Sequence, residues 1–445
     1  MYNFPKNLYT DVRIETINRT NIIYENGNLK ENKLSEEKGA FIRVYDGIRW
    51  YYSSTTNIEN IQEEINELSK LANPNEDIYV NPVVSRFEVN KGEDLSYVKN
   101  NILNVKNSDK INLVESYLPL LEEFEEVVDS EIKYQDTYII KEILSSKGTN
   151  IKFDIQNAYV CLGYSLLVNG MSQSNKTNIY EIEFEKLYGK HNFFKDNIKK
   201  DIDFVKNSVP VKPGIYTCIL SPTTAGVFAH ESFGHKSEAD FMVGDKKMIE
   251  EWAIGSKVGS SILNIIDTGK LEGSGYVPYD DEGTKSKETY LIKDGILSGR
   301  LHSAYTAGNL KEDLTGNSRA LNFEFEPIVR MTTTYIGAGT QTKEEIFEGV
   351  KEGIYIEDIK YGSGMSTFTI APARSYMIRD GKIAEPVKIS VITGNVMKTL
   401  NEIDAVSNKV EIESFGTGGC GKMDQMPLPV GFGGPYVRVK GINVQ

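Results

Sequence analysis

The run His230-Glu231-Ser232-Phe233-Gly234-His235 holds two of the chain's four histidines and sets them five residues apart, with a glutamate beside the first. That spacing constrains the local fold. An α-helix turns about 100° per residue, so rings at i and i+5 would point roughly 140° apart and could not share an ion. The better known H-E-x-x-H puts its histidines at i and i+4, on one helix face. A helix carrying this run must be wound wider or broken, and a π-bulge is expected, with Gly234 as the place for the distortion. Two neutral imidazoles can ligate a divalent metal, zinc foremost, while an adjacent carboxylate outside the ligand set takes a proton from metal-bound water. The six residues alone fit a pair of hydrogen-bonded structural histidines equally well. The flanks favour a site: Ile215 to Leu220 alternates as a strand, Ser221-Pro222 caps and starts a helix, and Ala225 to Ala229 gives it an apolar face.

Two histidines do not close a zinc site, so a third ligand must come from a distant carboxylate or from Cys161, Cys218 or Cys420. Cys420 is the best of these. It sits in Gly416-Thr417-Gly418-Gly419-Cys420-Gly421-Lys422, where glycines let backbone approach a ligand and Lys422 is placed to favour the thiolate. Cys161, in the apolar run Ala158 to Val168, and Cys218, in the strand before the histidines, read as small core residues.

A chain of 445 residues, 40% of them hydrophobic, is too long for one compact unit, so two domains are expected. Three cysteines argue against a disulfide framework and for a reducing, cytoplasmic setting. Met1 to Arg13 lacks a basic-then-apolar leader, and no apolar run nears the ~18 residues of a membrane helix. A net charge of −13 disfavours nucleic acid as a direct partner, since phosphates call for a clustered basic surface.

Val12 to Arg49 alternates with turns at Glu25-Asn26-Gly27-Asn28 and Asp46-Gly47, predicting hairpins of an antiparallel sheet. Ile58 to Ala72 behind Thr55, Thr56 and Asn57 predicts a helix with Ile61, Ile65, Leu68 and Leu71 on its apolar face. Ile111 to Val127 predicts another, strands resume from Glu131 to Val168, and Lys186 to Lys206 is charged and helical. Pro210 and Pro213 then punctuate the chain, which places a boundary near residue 206: an N-terminal α+β domain over 1–205 and a C-terminal β-rich domain over 206–445. The fold class expected is α+β: an antiparallel sheet with helices first, then a mainly antiparallel β domain carrying one metal helix. The first domain is expected to be structural or to serve pairing. Asp280-Asp281-Glu282 reads as a solvated turn rather than a cation site, and Arg330 either clamps a substrate carboxylate or supports the fold through a salt bridge.

In order along the chain, six segments resemble the TldD/PmbA family, also called modulators of DNA gyrase, in its TldD-like branch. They are Leu220-Ser221-Pro222 running into the histidine run, Tyr279-Asp280-Asp281-Glu282-Gly283-Thr284, Thr315-Gly316-Asn317, Pro327-Ile328-Val329-Arg330-Met331, Tyr376-Met377-Ile378-Arg379-Asp380-Gly381-Lys382 and Cys420-Gly421-Lys422-Met423-Asp424-Gln425. Gly39, Arg43 and Val44 before Asp46-Gly47 extend the resemblance over nearly the whole chain. It implies a zinc metallopeptidase with one Zn2+ per chain, His230, His235 and Cys420 as ligands and Glu231 as general base. It also implies peptide or unfolded-protein substrates, of leader type among them, and assembly as a homodimer or as a heterodimer with a related subunit. The catalytically silent partner type lacks the His-Glu pair that this chain keeps. The chain departs from its relatives in Lys422-Met423-Asp424-Gln425, where a glycine usually precedes the glutamine, and in a shortened Gly362 to Phe368; neither removes a ligand. The alternative is a non-catalytic peptide-binding or regulatory partner subunit with a structural metal. It would need a fourth protein ligand, for which His191 and His302 have no supporting motif.

Overall fold

The computed structural model describes residues 2–445. Strands β1 (Tyr9–Glu25), β2 (Asn28–Tyr45), β3 (Trp50–Thr55), β4 (Lys91–Asp94), β5 (Val127–Ser145), β6 (Asn150–Val168) and β7 (Met171–Glu181) form one sheet in the order β3-β2-β1-β5-β6-β4, with β7 also on β6. All its pairings are antiparallel except β4 with β6. Asn26 and Gly27 carry φ of 45° and 76° between β1 and β2, the tight turn their sequence predicts. Helices Asn107–Glu122 and His191–Asn207 cover the sheet through Leu113, Tyr117, Phe194 and Ile198, and helix Ile61–Leu71 buries Ile61, Ile65 and Leu68 against Val12, Ile42 and Val44. Leu71 of that predicted face is exposed. The second predicted helix starts and stops earlier than its periodicity suggests, because Val127 leaves it to open β5 opposite Leu166.

The rest of the chain is mainly β. Gly214–Leu220, Val437–Val444, Ile392–Asn395, Thr367–Arg379 and Glu352–Gly364 pair in succession, and the last returns to the first, closing a five-stranded ring. A six-stranded sheet lies beside it, running from Ile296–Leu297 at one edge through Thr333–Ile336 and Gly431–Gly434 to Glu411–Ser414 at the other. Helix Pro222–Ala229 is wedged between ring and sheet, and its Ala225 and Phe228 join one core with side chains of both. Glycine makes the wedge possible. A Cβ on Gly226 would stand 2.3 Å from the Gly433 nitrogen, and one on Gly362 2.8 Å from Val227 Cγ1.

Candidate metal centre

The strand Gly214–Leu220 ends in Ser221, whose hydroxyl accepts from the Thr224 N–H at 3.2 Å, and Pro222 opens the helix. After Ala229 the backbone widens: His230–Gly234 is one π turn, closed by the His235 N–H donating to the His230 carbonyl. His235–Ser237 then tightens to a 3-10 turn. The extra residue in the turn does what the i, i+5 spacing demands, bringing both imidazoles to one side with ring centroids 5.0 Å apart. Gly234 has ordinary helical angles (φ −53°, ψ −55°), so its role is not the conformational freedom expected of it. It is there for room: a Cβ would meet Met331 Sδ at 2.1 Å.

The third member arrives from a separate short hairpin, Cys420–Lys422 paired with Gln425–Leu428. One ligand atom from each of His230, His235 and Cys420 lies within 4.8 Å of the other two, and Cys420 Sγ is 3.6 Å from His235 Nε2. A tetrahedral zinc with bonds of 2.0–2.3 Å spaces its donors by roughly 3.5 Å, so the cluster fits the ion's size as well as its chemistry. An orphaned atom points the same way: His230 Nδ1 is buried and has no hydrogen-bond partner among the described residues. Glu231 and His235 are half-buried, while the rest of the run is buried. Burial opposes ionisation of Cys420, but the charges and hydrogen bonds of His230 and His235 outweigh it and bring the thiol down to about 5. His235 rises to about 10, its desolvation overcome by Cys420 and Glu238.

The loop with Cys420 is held from several sides. Arg330, fully buried, donates to the Cys420 carbonyl at 2.6 Å and the Gln425 carbonyl at 3.2 Å. Among the described residues it forms no salt bridge and clamps backbone, which corrects both roles expected of it. Arg319 donates likewise to the Met331 and Pro429 carbonyls. Lys422 does not act on the thiolate as expected; its ammonium is taken up by Asp240 at 2.7 and 2.8 Å, Glu238 at 3.1 Å and the Val329 carbonyl at 2.9 Å. Glu238, absent from the expected site, lies 3.3 Å from His235 Nδ1; its only sequence signal was its place three residues after a candidate ligand.

The other candidates lie elsewhere. Cys218 is fully buried in the ring, and burial pushes its thiol above the ordinary range. Cys161 is buried in β6 with its thiol also raised by burial. His302 spends its ring nitrogens on Thr306 and Glu312, and His191 on the Ser116 carbonyl. Asp280, Asp281 and Glu282 are not a solvated turn: they are 0%, 6% and 4% exposed. Asp281 pairs with Lys141 at 2.6 Å and Glu282 with Arg43 at 3.2 Å, while Asp280 accepts from the N–H groups of Glu282, Thr284 and Ser318. These carboxylates are spent on joining the N-terminal sheet to the rest, which leaves them no cation.

Two imidazoles and a thiolate within 4.8 Å of one another, with a half-buried glutamate next to His230 in sequence, form a donor set that can hold a divalent metal, as the metallopeptidase class requires. Comparison with known proteins agrees and supplies the particular lineage. A metalloprotease of Synechocystis sp. is 30% identical over 98% of this chain and 94% of its own length. A zinc metalloprotease TldD homolog of Saccharolobus solfataricus is 30% identical over 92% and 90%. The solved structure of TldE from Thermococcus kodakarensis, 15% identical, shares the fold with a TM-score of 0.76 over 98% of this chain and 96% of that one. The PmbA/TldA metallopeptidase C-terminal domain matches residues 213–445 and domain 1 of the same family matches residues 10–72. The chain belongs to the PmbA/TldD metallopeptidase family.

Proposed function

We propose that this chain is a zinc-dependent peptidase of unfolded or leader-type peptides, in which His230, His235 and Cys420 hold one zinc per chain and Glu231 is the general base. The observation that carries this is the convergence of the three donors within 4.8 Å of one another, with Glu231 next to His230 in the same π turn. Zinc, when bound there, supplies Lewis acidity toward the scissile carbonyl and toward a water, moderated by the thiolate, which leaves the ion about one unit of positive charge. Glu231 takes the proton of the attacking water and returns it to the leaving amine. The six-stranded sheet ends in the edge strand Glu411–Ser414, which runs directly into the glycine loop before Cys420. An extended peptide added to that edge would lie along the site, its main chain rather than its side chains read by the sheet.

The chain is further read as two domains meeting near residue 206, and as assembling with itself or with a related subunit, which the shared fold of TldE supports. No helix of the described residues is long and apolar enough to cross a membrane. The test is metal content per chain beside cleavage of an unstructured peptide. Wild type should hold one zinc and cleave; Cys420→Ala should lose both; Glu231→Ala should keep zinc and lose cleavage. Undiminished cleavage by Glu231→Ala would remove it from the mechanism, and a wild type inert even after zinc is added back would favour a silent partner subunit.

A further inference from the structure

We infer that Glu238 and Lys422 are positioning residues that lock His235 and Cys420 to each other, so that the metal site is held by a closed circuit of side chains. The inference rests on the proposed donor set of His230, His235 and Cys420. His235 turns Nε2 toward Cys420 Sγ, at 3.6 Å, which leaves Nδ1 as the nitrogen that must donate. Its acceptor is Glu238 Oε2 at 3.3 Å. A ligating histidine anchored in this way has its tautomer and ring plane fixed by the carboxylate behind it. Glu238 is itself wholly buried, and a lone buried carboxylate would be costly. Lys422 Nζ, 3.1 Å away, supplies the compensating charge. Lys422 lies two residues past Cys420 on the short strand Cys420–Lys422, so the circuit returns along that strand to the thiolate. Asp240 and the Val329 carbonyl bind the same ammonium and keep it from swinging away. His230 is different: no carboxylate is hydrogen-bonded to its ring among the described residues, and its place comes from the π turn and the packing of the helix.

The test is the zinc dissociation constant of the full-length chain, by competition with a chromophoric chelator, with the secondary structure of the metal-free forms followed by circular dichroism. Glu238→Gln should weaken zinc by roughly 10–100-fold while the metal-free protein stays folded. The cobalt-substituted variant should change its ligand-field bands but keep the thiolate charge-transfer band of Cys420. Lys422→Arg, which keeps the charge, should bind zinc more tightly than Lys422→Met. A folded Glu238→Gln that binds zinc within twofold of wild type overturns the inference. If Glu238→Gln does not fold, the double variant Glu238→Gln/Lys422→Met, in which neither of the two is left alone, takes its place with the same two outcomes. Cys420→Ala separates this failure from that of the underlying reading: zinc binding undiminished there would sink the donor assignment itself.

Discussion

Gly226→Ala tests the packing that aims the histidines. The added methyl would stand 2.3, 2.6 and 3.0 Å from the nitrogen, Cα and carbonyl carbon of Gly433. Ordinary contact needs about 3.5 Å, so helix and strand must part by about 1 Å. The obstacle is backbone of a strand paired on both sides, with Thr333–Ile336 and Glu411–Ser414, and no rotamer change relieves it. Alanine gains up to about 1 kcal/mol over glycine inside a helix, whereas overpacking costs about 1–3 kcal/mol, so a net loss of about 1–2 kcal/mol is expected. His230 follows one helical turn later, and a misplacement of about 1 Å at a reacting site lowers rates on the order of 100-fold. Denaturant unfolding and peptide cleavage measure the two effects. Gly234→Ala is the contrasting case, since its obstacle is the sulfur of Met331, a flexible side chain. Adding Met331→Ala should relieve Gly234→Ala and give a favourable coupling of about 1–3 kcal/mol; it should do nothing for Gly226→Ala. A Gly226→Ala protein as stable and as active as its parent would refute the reasoning.

Asp281→Ala should destabilise by about 3–5 kcal/mol, because Lys141 and Arg13 lose a buried partner and the Ala320 N–H its acceptor. Burial disfavours the Asp281 charge, but Lys141 and Arg13 outweigh it and hold the carboxyl below its usual range. Its contribution is therefore complete above pH ~4 and fades as pH falls through the lowered folded-state value, so wild-type and variant stabilities should converge only in strong acid. Removing zinc with a chelator should abolish cleavage and lower the unfolding free energy by about 2.7 kcal/mol where the metal had stood at 100 times its dissociation constant. His302→Ala should leave one zinc per chain, since that ring belongs to Thr306 and Glu312; loss of the metal from a folded variant would instead favour the alternative in which His302 is a fourth ligand.

What could be read from the sequence was local in its physics. The i, i+5 spacing specified a widened turn because ring direction depends only on residues within that turn. Asn26-Gly27 specified its hairpin through backbone angles of those two residues. Asp280-Asp281-Glu282 was half legible: the turn is there, with Gly283 at φ 79°, but its burial is decided by Arg13, Arg43 and Lys141, more than a hundred residues earlier. Gly234 was located correctly and explained wrongly, since the neighbour that excludes a side chain, Met331, is distant in sequence. The same holds for Lys422, whose partners Glu238 and Asp240 come from the turn after the histidines. A lone lysine beside a cysteine suggests an electrostatic effect on the thiol, and only the tertiary fold reveals that its charge is already spent.

The N-terminal sheet, expected to be chemically idle, is also part of this site's support. A Cβ on Gly416 would fall 2.0 Å from the Tyr159 ring of β6, so the glycine loop lies flat on that sheet. Asn178 of β7 accepts from the Gly416 N–H at 3.3 Å, and Lys176 reaches Thr417 at 3.4 Å. Cys161 is paired opposite Asn178 in the same patch, where its buried thiol packs beneath the loop and leaves ligation to Cys420. Arg330 grips the loop from one side and the N-terminal sheet bears it on another, while Lys422 ties its far end to the histidine turn. A glycine-rich segment is the most entropically costly kind of chain to fix, and three separate anchors hold this one where a single thiolate must meet two imidazoles. The C-terminal elements carry the donors, but the position of one of them depends on strands that begin more than two hundred residues before it.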